Sequence, residues 1–156
     1  PNTPSLVGKG AAGLFANSQV KDDQRNAVQK VFESIGSALW VDDENLLHSV
    51  TALSGSGPAY FFLMLEALES AATEAGIESE TARALAIQTM AGAAEMAARS
   101  EDDPGQLKRN VMSPGGTTER AINTFEEGGL RDLVKKAYSA AFERSREMSR
   151  ELADKQ

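Results

Sequence analysis

From Asp22 onward the apolar side chains Ala27, Val28, Val31, Phe32 and Ile35 recur at the three- and four-residue spacing that gathers them on one helical face. Gly36 stands where a left-handed cap would close that helix. Short apolar runs flank it. Leu14 to Val20, bounded by Gly13 and Lys21-Asp22-Asp23, predicts one strand, and Ser37 to Val41 predicts another. Strand, helix and strand over this span have the size of one unit of a parallel α/β sheet. Such a unit exposes both faces of its sheet and needs further strands to bury itself.

Beyond Asp42 the period changes. No alternating pattern recurs, alanines multiply, and helix punctuation stands at Gly76, Pro104-Gly105 and Gly128-Gly129. The spacing predicts helices over Glu44 to Leu53, Pro58 to Ala75, Ser79 to Ser100, Pro104 to Val111, Thr117 to Glu127 and Leu130 to Leu152. Pro58 and Pro104 suit a first helical position, where a missing N–H costs nothing. Ala59 to Leu65 is apolar on every side, unlike the one-sided stripe of a surface helix, and is expected to be buried centrally. The alanine-rich stretch Ala82 to Ala98 lets helix backbones approach closely, within one chain or against a second copy. The polar end, Arg150 to Gln156, reads as a frayed terminus.

Composition removes several function classes. In 156 residues the formal net charge is −7, so the basic surface that nucleic acid or an anionic membrane requires is lacking. No apolar run approaches the roughly 20 residues of a membrane helix. Without cysteine there is no disulfide, thiolate nucleophile or cysteine zinc site, a composition that fits the cytoplasm. The single histidine, His48, cannot build a two-histidine metal site and reads as a packed or solvated residue; no metal site is expected. The chain opens on Pro1 rather than Met, which predicts a piece of a longer polypeptide.

Three glycine-rich stretches invite chemistry. Gly8-Lys9-Gly10-Ala11-Ala12-Gly13 satisfies the dinucleotide pattern G-x-G-x-x-G, but that motif needs a strand before it and a helix opening inside it. Here prolines precede and the strand-like run follows, so the stretch reads as a turn leading into a strand. Ser54 to Pro58 is either a helix-to-helix joint or a joint shaped for backbone to touch a ligand. In Ser113-Pro114-Gly115-Gly116-Thr117-Thr118, adjacent glycines expose consecutive N–H groups, and Thr117 or Thr118 can cap the next helix. That stretch is a capped turn or an anion nest at a helix start, where unpaired N–H groups and the helix dipole favour a carboxylate or phosphate.

Taken in order with Pro1-Asn2-Thr3-Pro4, the segments Ser54-Gly55-Ser56-Gly57-Pro58-Ala59-Tyr60 and Ser113 to Thr118 make the whole chain resemble the C-terminal half of pyrroline-5-carboxylate reductase. The resemblance implies a mainly α fold, a helical dimerisation domain preceded by a strand-helix-strand remnant of a Rossmann-type α/β domain. Residues 1–42 would end the dinucleotide-binding domain, and residues 43–156 would form the all-helical dimerisation and substrate-binding domain. It further implies a cytoplasmic homodimer, with dimers assembling into larger rings. The reaction implied is reduction of 1-pyrroline-5-carboxylate to L-proline by hydride from NADPH or NADH. The family's glycine-rich fingerprint lies near the start of the full protein, so the main cofactor site is expected outside this chain, and the isolated chain is expected to be inactive.

Carried over position by position, the resemblance puts the substrate carboxylate on Ser113, Gly115, Gly116, Thr117 and Thr118, with Glu101 supporting that network. Thr51 would point its hydroxyl at the substrate ring nitrogen, and Asn2 and Thr3 would lie beside the nicotinamide. Read without the resemblance, Thr51 is a back-bonded helix residue, Glu101 a surface charge, and Asn2-Thr3 a turn. Two other classes share much of this pattern: the helical dimerisation domain of another NAD(P)-dependent reductase, and a non-catalytic helical scaffold.

Overall fold

The computed structural model describes residues 1–155. Among them are two parallel strands, β1 (Gly10–Leu14) and β2 (Gly36–Trp40), and the helices α1 (Asp22–Glu33), α2 (Leu46–Val50), α3 (Gly57–Glu74), α4 (Ser79–Arg99), α5 (Pro104–Asn110), α6 (Thr117–Glu127) and α7 (Leu130–Ala153). A 3₁₀ turn, Thr3–Val7, opens the chain, and a widened π turn, Thr51–Gly55, continues α2. Two compact units are formed, one of residues 1–61 with 134–155 and one of residues 62–133; α3 and α7 each run through a boundary between them.

In the first unit β1 and β2 pair in parallel from Gly10 opposite Gly36 to Leu14 opposite Trp40. Along β1 the alternating residues Gly10, Ala12 and Leu14 turn inward. Ala12, Leu14 and Ala38 form a small core against which Phe32 and Trp40 pack. The Arg25 guanidinium lies 4.3 Å over the Trp40 ring. Helix α1 begins at Asp22 as expected, where the Gln24 side chain accepts from the Lys21 N–H at 2.9 Å. Leu39 of β2 stays 71% exposed.

The first strand lies earlier than the apolar run suggested. It occupies Gly10–Leu14 rather than Leu14 to Val20, because small residues allow β1 to press against α2: a Cβ on Gly13 would stand 2.6 Å from Val50 Cγ1. The G-x-G-x-x-G stretch is thus partly the strand itself. Gly36 opens β2, and the cap of α1 is Ser34 instead. Pro58 is the second residue of its helix rather than the first. Helix α7 packs on α2 within this unit: His48 Nδ1 lies 2.9 Å from Ser145 Oγ, the Phe142 ring meets the imidazole edge-to-face, and the Tyr138 hydroxyl donates to the Ser49 carbonyl at 3.4 Å. His48 is a packing residue, as its isolation predicted.

The second unit is helical throughout. The Glu78 carboxylate caps α4 by accepting from the Thr81 N–H at 3.0 Å, and Asp103 caps α5 by accepting from the Gln106 N–H at 2.9 Å. Hydrogen bonds from the backbone at Glu80 and Thr81 hold the Glu78 carboxyl below its ordinary range. Glu126, near the end of α6, pairs with Lys108 of α5 at 3.3 Å and with Arg131 of α7 at 2.7 Å.

Ala59 to Leu65 is not buried within one chain. Phe61, Phe62 and Leu63 are 61–67% exposed, and Leu85, Ile87 and Met96 of α4 are exposed as well. The one buried residue of α3 is Gly57, and the one buried residue of α4 is Ala82. The apolar content of these helices exceeds what one copy can bury, which is the signature of a surface reserved for a partner.

Candidate functional site

In the first unit the candidate residues gather around the π turn. Adding one residue to a helical turn shifts its hydrogen-bond pattern, and the Ser56 N–H reaches back five residues to the Thr51 carbonyl at 2.8 Å. Two distant side chains brace the widened backbone. The Tyr60 hydroxyl donates to the Ala52 carbonyl at 3.1 Å, and the Asn2 side-chain amide donates to the Ser54 carbonyl at 2.9 Å. Asn2 also accepts from the Ala11 N–H at 2.9 Å, so both the oxygen and the nitrogen of its side chain bond backbone. Thr3 beside it is exposed. The Thr51 hydroxyl donates its proton to the Leu47 carbonyl at 2.8 Å, and the residue is exposed. With the proton spent, the oxygen presents only acceptor lone pairs to its surroundings.

In the second unit Ser113-Pro114-Gly115-Gly116 is a tight turn. The Gly116 N–H donates to the Ser113 carbonyl at 2.9 Å, and Gly115 has φ +72°, the left-handed value that the third position of a type II turn requires. Gly116 is the N-cap of α6, and no side chain caps it; neither Thr117 nor Thr118 takes the capping role expected of them. They are the first two helical residues. The first backbone bond of α6 runs from the Arg120 N–H to the Gly116 carbonyl at 3.3 Å, so the N–H groups of Thr117 and Thr118 precede the intrahelical ladder.

Of the three backbone donors expected at Gly115, Gly116 and Thr117, two are committed within the chain, and the Gly116 N–H is the one that closes the turn. A Cβ on Gly116 would stand 2.9 Å from the Ser113 carbonyl oxygen, so glycine there permits the tight approach. The Gly115 N–H donates to Glu119 Oε2 at 2.7 Å, a contact that local sequence inspection missed. Its signal was present, since a glutamate at the third helical position commonly reaches back over the helix start. Glu101 lies exposed in the bend between α4 and α5, beside Asp102, which accepts from the Asn110 amide at 3.2 Å.

The described residues place no strand, glycine loop and helix in the sequence that a dinucleotide pyrophosphate needs, since Gly10 and Gly13 lie in β1. They contain no cluster of three or more groups able to hold a metal ion, and no helix long and apolar enough to cross a membrane.

The exposed apolar side chains of α3 and α4 suit a helical dimerisation domain. A family profile described as pyrroline-5-carboxylate reductase dimerisation matches residues 44–148, and the chain belongs to the pyrroline-5-carboxylate reductase family. It is 48% identical over 152 residues to the pyrroline-5-carboxylate reductase of Pseudomonas aeruginosa, covering 97% of this chain and 56% of that protein. With the enzyme of Pisum sativum it shares 43% identity over 149 residues, covering 96% of this chain and 54% of the relative. Among solved structures, a pyrroline-5-carboxylate reductase from Coxiella burnetii superposes with a TM-score of 0.92 at 50% identity, covering 94% of this chain and 54% of that one. A Plasmodium falciparum pyrroline carboxylate reductase with NADP bound matches with a TM-score of 0.86 at 35% identity, covering 95% and 60%. The chain thus spans about half the length of the relatives it matches.

Proposed function

We propose that this chain is the dimerisation and substrate-holding part of a reductase that converts 1-pyrroline-5-carboxylate to L-proline. Family membership and the tight turn from Ser113 to Gly116 before α6 carry this reading. Residues 1–42 end a dinucleotide-binding domain and residues 43–156 form the helical domain; the parallel pairing of β1 with β2 and the exposed Leu39 of β2 support the first assignment. The dinucleotide's main seat is assigned to polypeptide outside residues 1–155, and NADPH or NADH supplies hydride to the carbon of the substrate C=N bond.

The substrate carboxylate is assigned to the start of α6. There the N–H and hydroxyl groups of Thr117 and Thr118 face a small anion together with the helix dipole, Gly115 adds a further N–H, and Ser113 and Gly116 set the turn. Glu101 supports this network. Thr51 is assigned to the ring nitrogen as a hydrogen-bond acceptor, because its proton is engaged with the Leu47 carbonyl. An acceptor suits a substrate that arrives with its nitrogen protonated: hydride addition to the iminium carbon then yields the neutral amine, and no acid on this chain need supply a proton in that step. Asn2 and Thr3 are assigned to the nicotinamide side, Asn2 through the backbone it fixes.

The working unit is a homodimer formed through α3 and α4, with higher assembly of dimers, and its compartment is the cytoplasm. The exposed Phe61, Phe62, Leu63, Leu85 and Ile87 support the dimer. The deciding experiment follows NADPH or NADH oxidation with 1-pyrroline-5-carboxylate, using a full-length reductase that carries this segment. Turnover that disappears when the segment is replaced by an unrelated dimerising helical domain is expected; turnover that survives the replacement overturns the assignment.

A further inference from the structure

We propose that Glu119 sets substrate affinity by holding the Gly115 N–H that the substrate carboxylate takes over on binding, an inference that rests on the carboxylate seat assigned above. A glutamate at the third position of a helix usually accepts from the N-cap N–H, but the Gly116 N–H is already engaged with the Ser113 carbonyl. Glu119 therefore reaches one residue further, to Gly115, at 2.7 Å. The chain's own carboxylate thus occupies a donor at the start of α6. The positive φ of Gly115 fixes the direction of that N–H, and nothing lies within 4 Å of where its Cβ would be, so no other group of the chain crowds that side of the turn.

Two carboxylates cannot share these donors without repulsion. A substrate carboxylate that uses the Gly115 N–H must turn Glu119 away, and Glu119 is only half-buried on a side chain with freely rotating bonds. The affinity observed is then the intrinsic affinity reduced by the cost of displacing Glu119.

The test compares Glu119→Ala, Glu119→Gln and Thr118→Ala in the full-length reductase, reading KM for 1-pyrroline-5-carboxylate and Kd for L-proline by calorimetry. The cofactor KM serves as an internal reference, and circular dichroism checks the fold. Displacement predicts that Glu119→Ala lowers both KM and Kd, on the order of threefold to tenfold, with Glu119→Gln between it and the parent. A capping role alone predicts the opposite sign, because a loosened helix start would raise both. Unchanged or raised values for Glu119→Ala overturn the proposal; if Thr118→Ala still raises KM in that case, the carboxylate seat stands and only the displacement fails. Should Thr118→Ala leave both values unchanged, the seat itself is wrong and the proposal falls with it.

Discussion

The Asn2 side-chain amide donates to the carbonyl of Ser54, 52 positions away in sequence, at 2.9 Å, while its oxygen accepts from the Ala11 N–H at the same distance. One short side chain therefore ties the opening 3₁₀ turn, strand β1 and the π turn into a single piece of backbone. A π turn has a looser bond pattern than an α-helix and holds its shape only when neighbours fix it. Asn2 and Tyr60 supply that fixing, and Thr51 sits at the start of the turn they brace.

Replacing Asn2 with Ala should therefore cost stability and activity together. Two part-buried hydrogen bonds are lost, each contributing about 0.5 to 1.5 kcal/mol, and the Ser54 carbonyl loses its partner. Urea unfolding of the chain is expected to show a lower midpoint for Asn2→Ala than for the parent. Equal midpoints for the two would mean that the bonds to Ser54 and Ala11 contribute nothing.

Thr51 separates two kinds of hydroxyl chemistry. If its oxygen accepts from a protonated ring nitrogen, Thr51→Ser should keep most of kcat/KM, and the nearly isosteric Thr51→Val should lower it about tenfold to a hundredfold in the full-length reductase. A Thr51→Val enzyme with parent kinetics would remove Thr51 from the site and leave it as the back-bonded helix residue that its contact with Leu47 also describes.

The helices were legible because their ends are chemically marked. Helix α6 begins and ends where its threonine pair and its two glycines placed it, and the Ser-Pro-Gly-Gly spacing encodes the turn before it. Strand β1 was not legible, since Gly10, Ala11, Ala12 and Gly13 carry no strand preference of their own and become a strand by packing under α2. The burial of Ala59 to Leu65 was misplaced for a related reason. Sequence shows that a helix is apolar but not whether its cover comes from the same chain, and Phe61 to Leu63 are left open in a single copy. The Asn2 link to Ser54 and the π turn itself arise from long-range contacts that no local period announces.

Acid should weaken the second unit through Glu126. Hydrogen bonds from Arg131 and Lys108 hold its carboxyl down to about 2, from an ordinary 4.5. Because the folded value is the lower one, the ion pair favours the fold fully above pH 4.5, loses strength as pH falls below that, and is gone below pH 2. The stability gap between the parent and Glu126→Gln should follow this course in denaturant unfolding at stepped pH. A gap that stays constant from pH 6 to pH 2 would show that Glu126 acts by packing alone.

Assembly is tested on α3. The parent chain should be at least a dimer by light scattering at micromolar concentration, and Phe62→Asp, which puts a charge on a 63% exposed apolar position, should shift it to monomer with its helices intact. A monomeric parent would count against the dimer, and a dimeric Phe62→Asp would place the interface on another face.

The turn before α6 offers the sharpest test of the carboxylate seat, since its two glycines fail for different reasons. Gly115→Ala must hold a side chain at φ +72°, which costs about 1 to 2 kcal/mol, but has open space around it; the turn should survive with a lower melting temperature. Gly116→Val faces the Ser113 carbonyl oxygen at 2.9 Å and must open the turn, which displaces the first donors of α6. Thr118→Ala leaves the turn intact and removes one hydrogen bond to a charged group, about 1.5 to 3 kcal/mol. In the full-length reductase KM for 1-pyrroline-5-carboxylate should therefore rise most for Gly116→Val and about tenfold or more for Thr118→Ala, with cofactor affinity unchanged in both. If Gly116→Val and Thr118→Ala both keep parent kinetics, residues 113–118 are only a turn leading into α6 and the substrate carboxylate is held elsewhere.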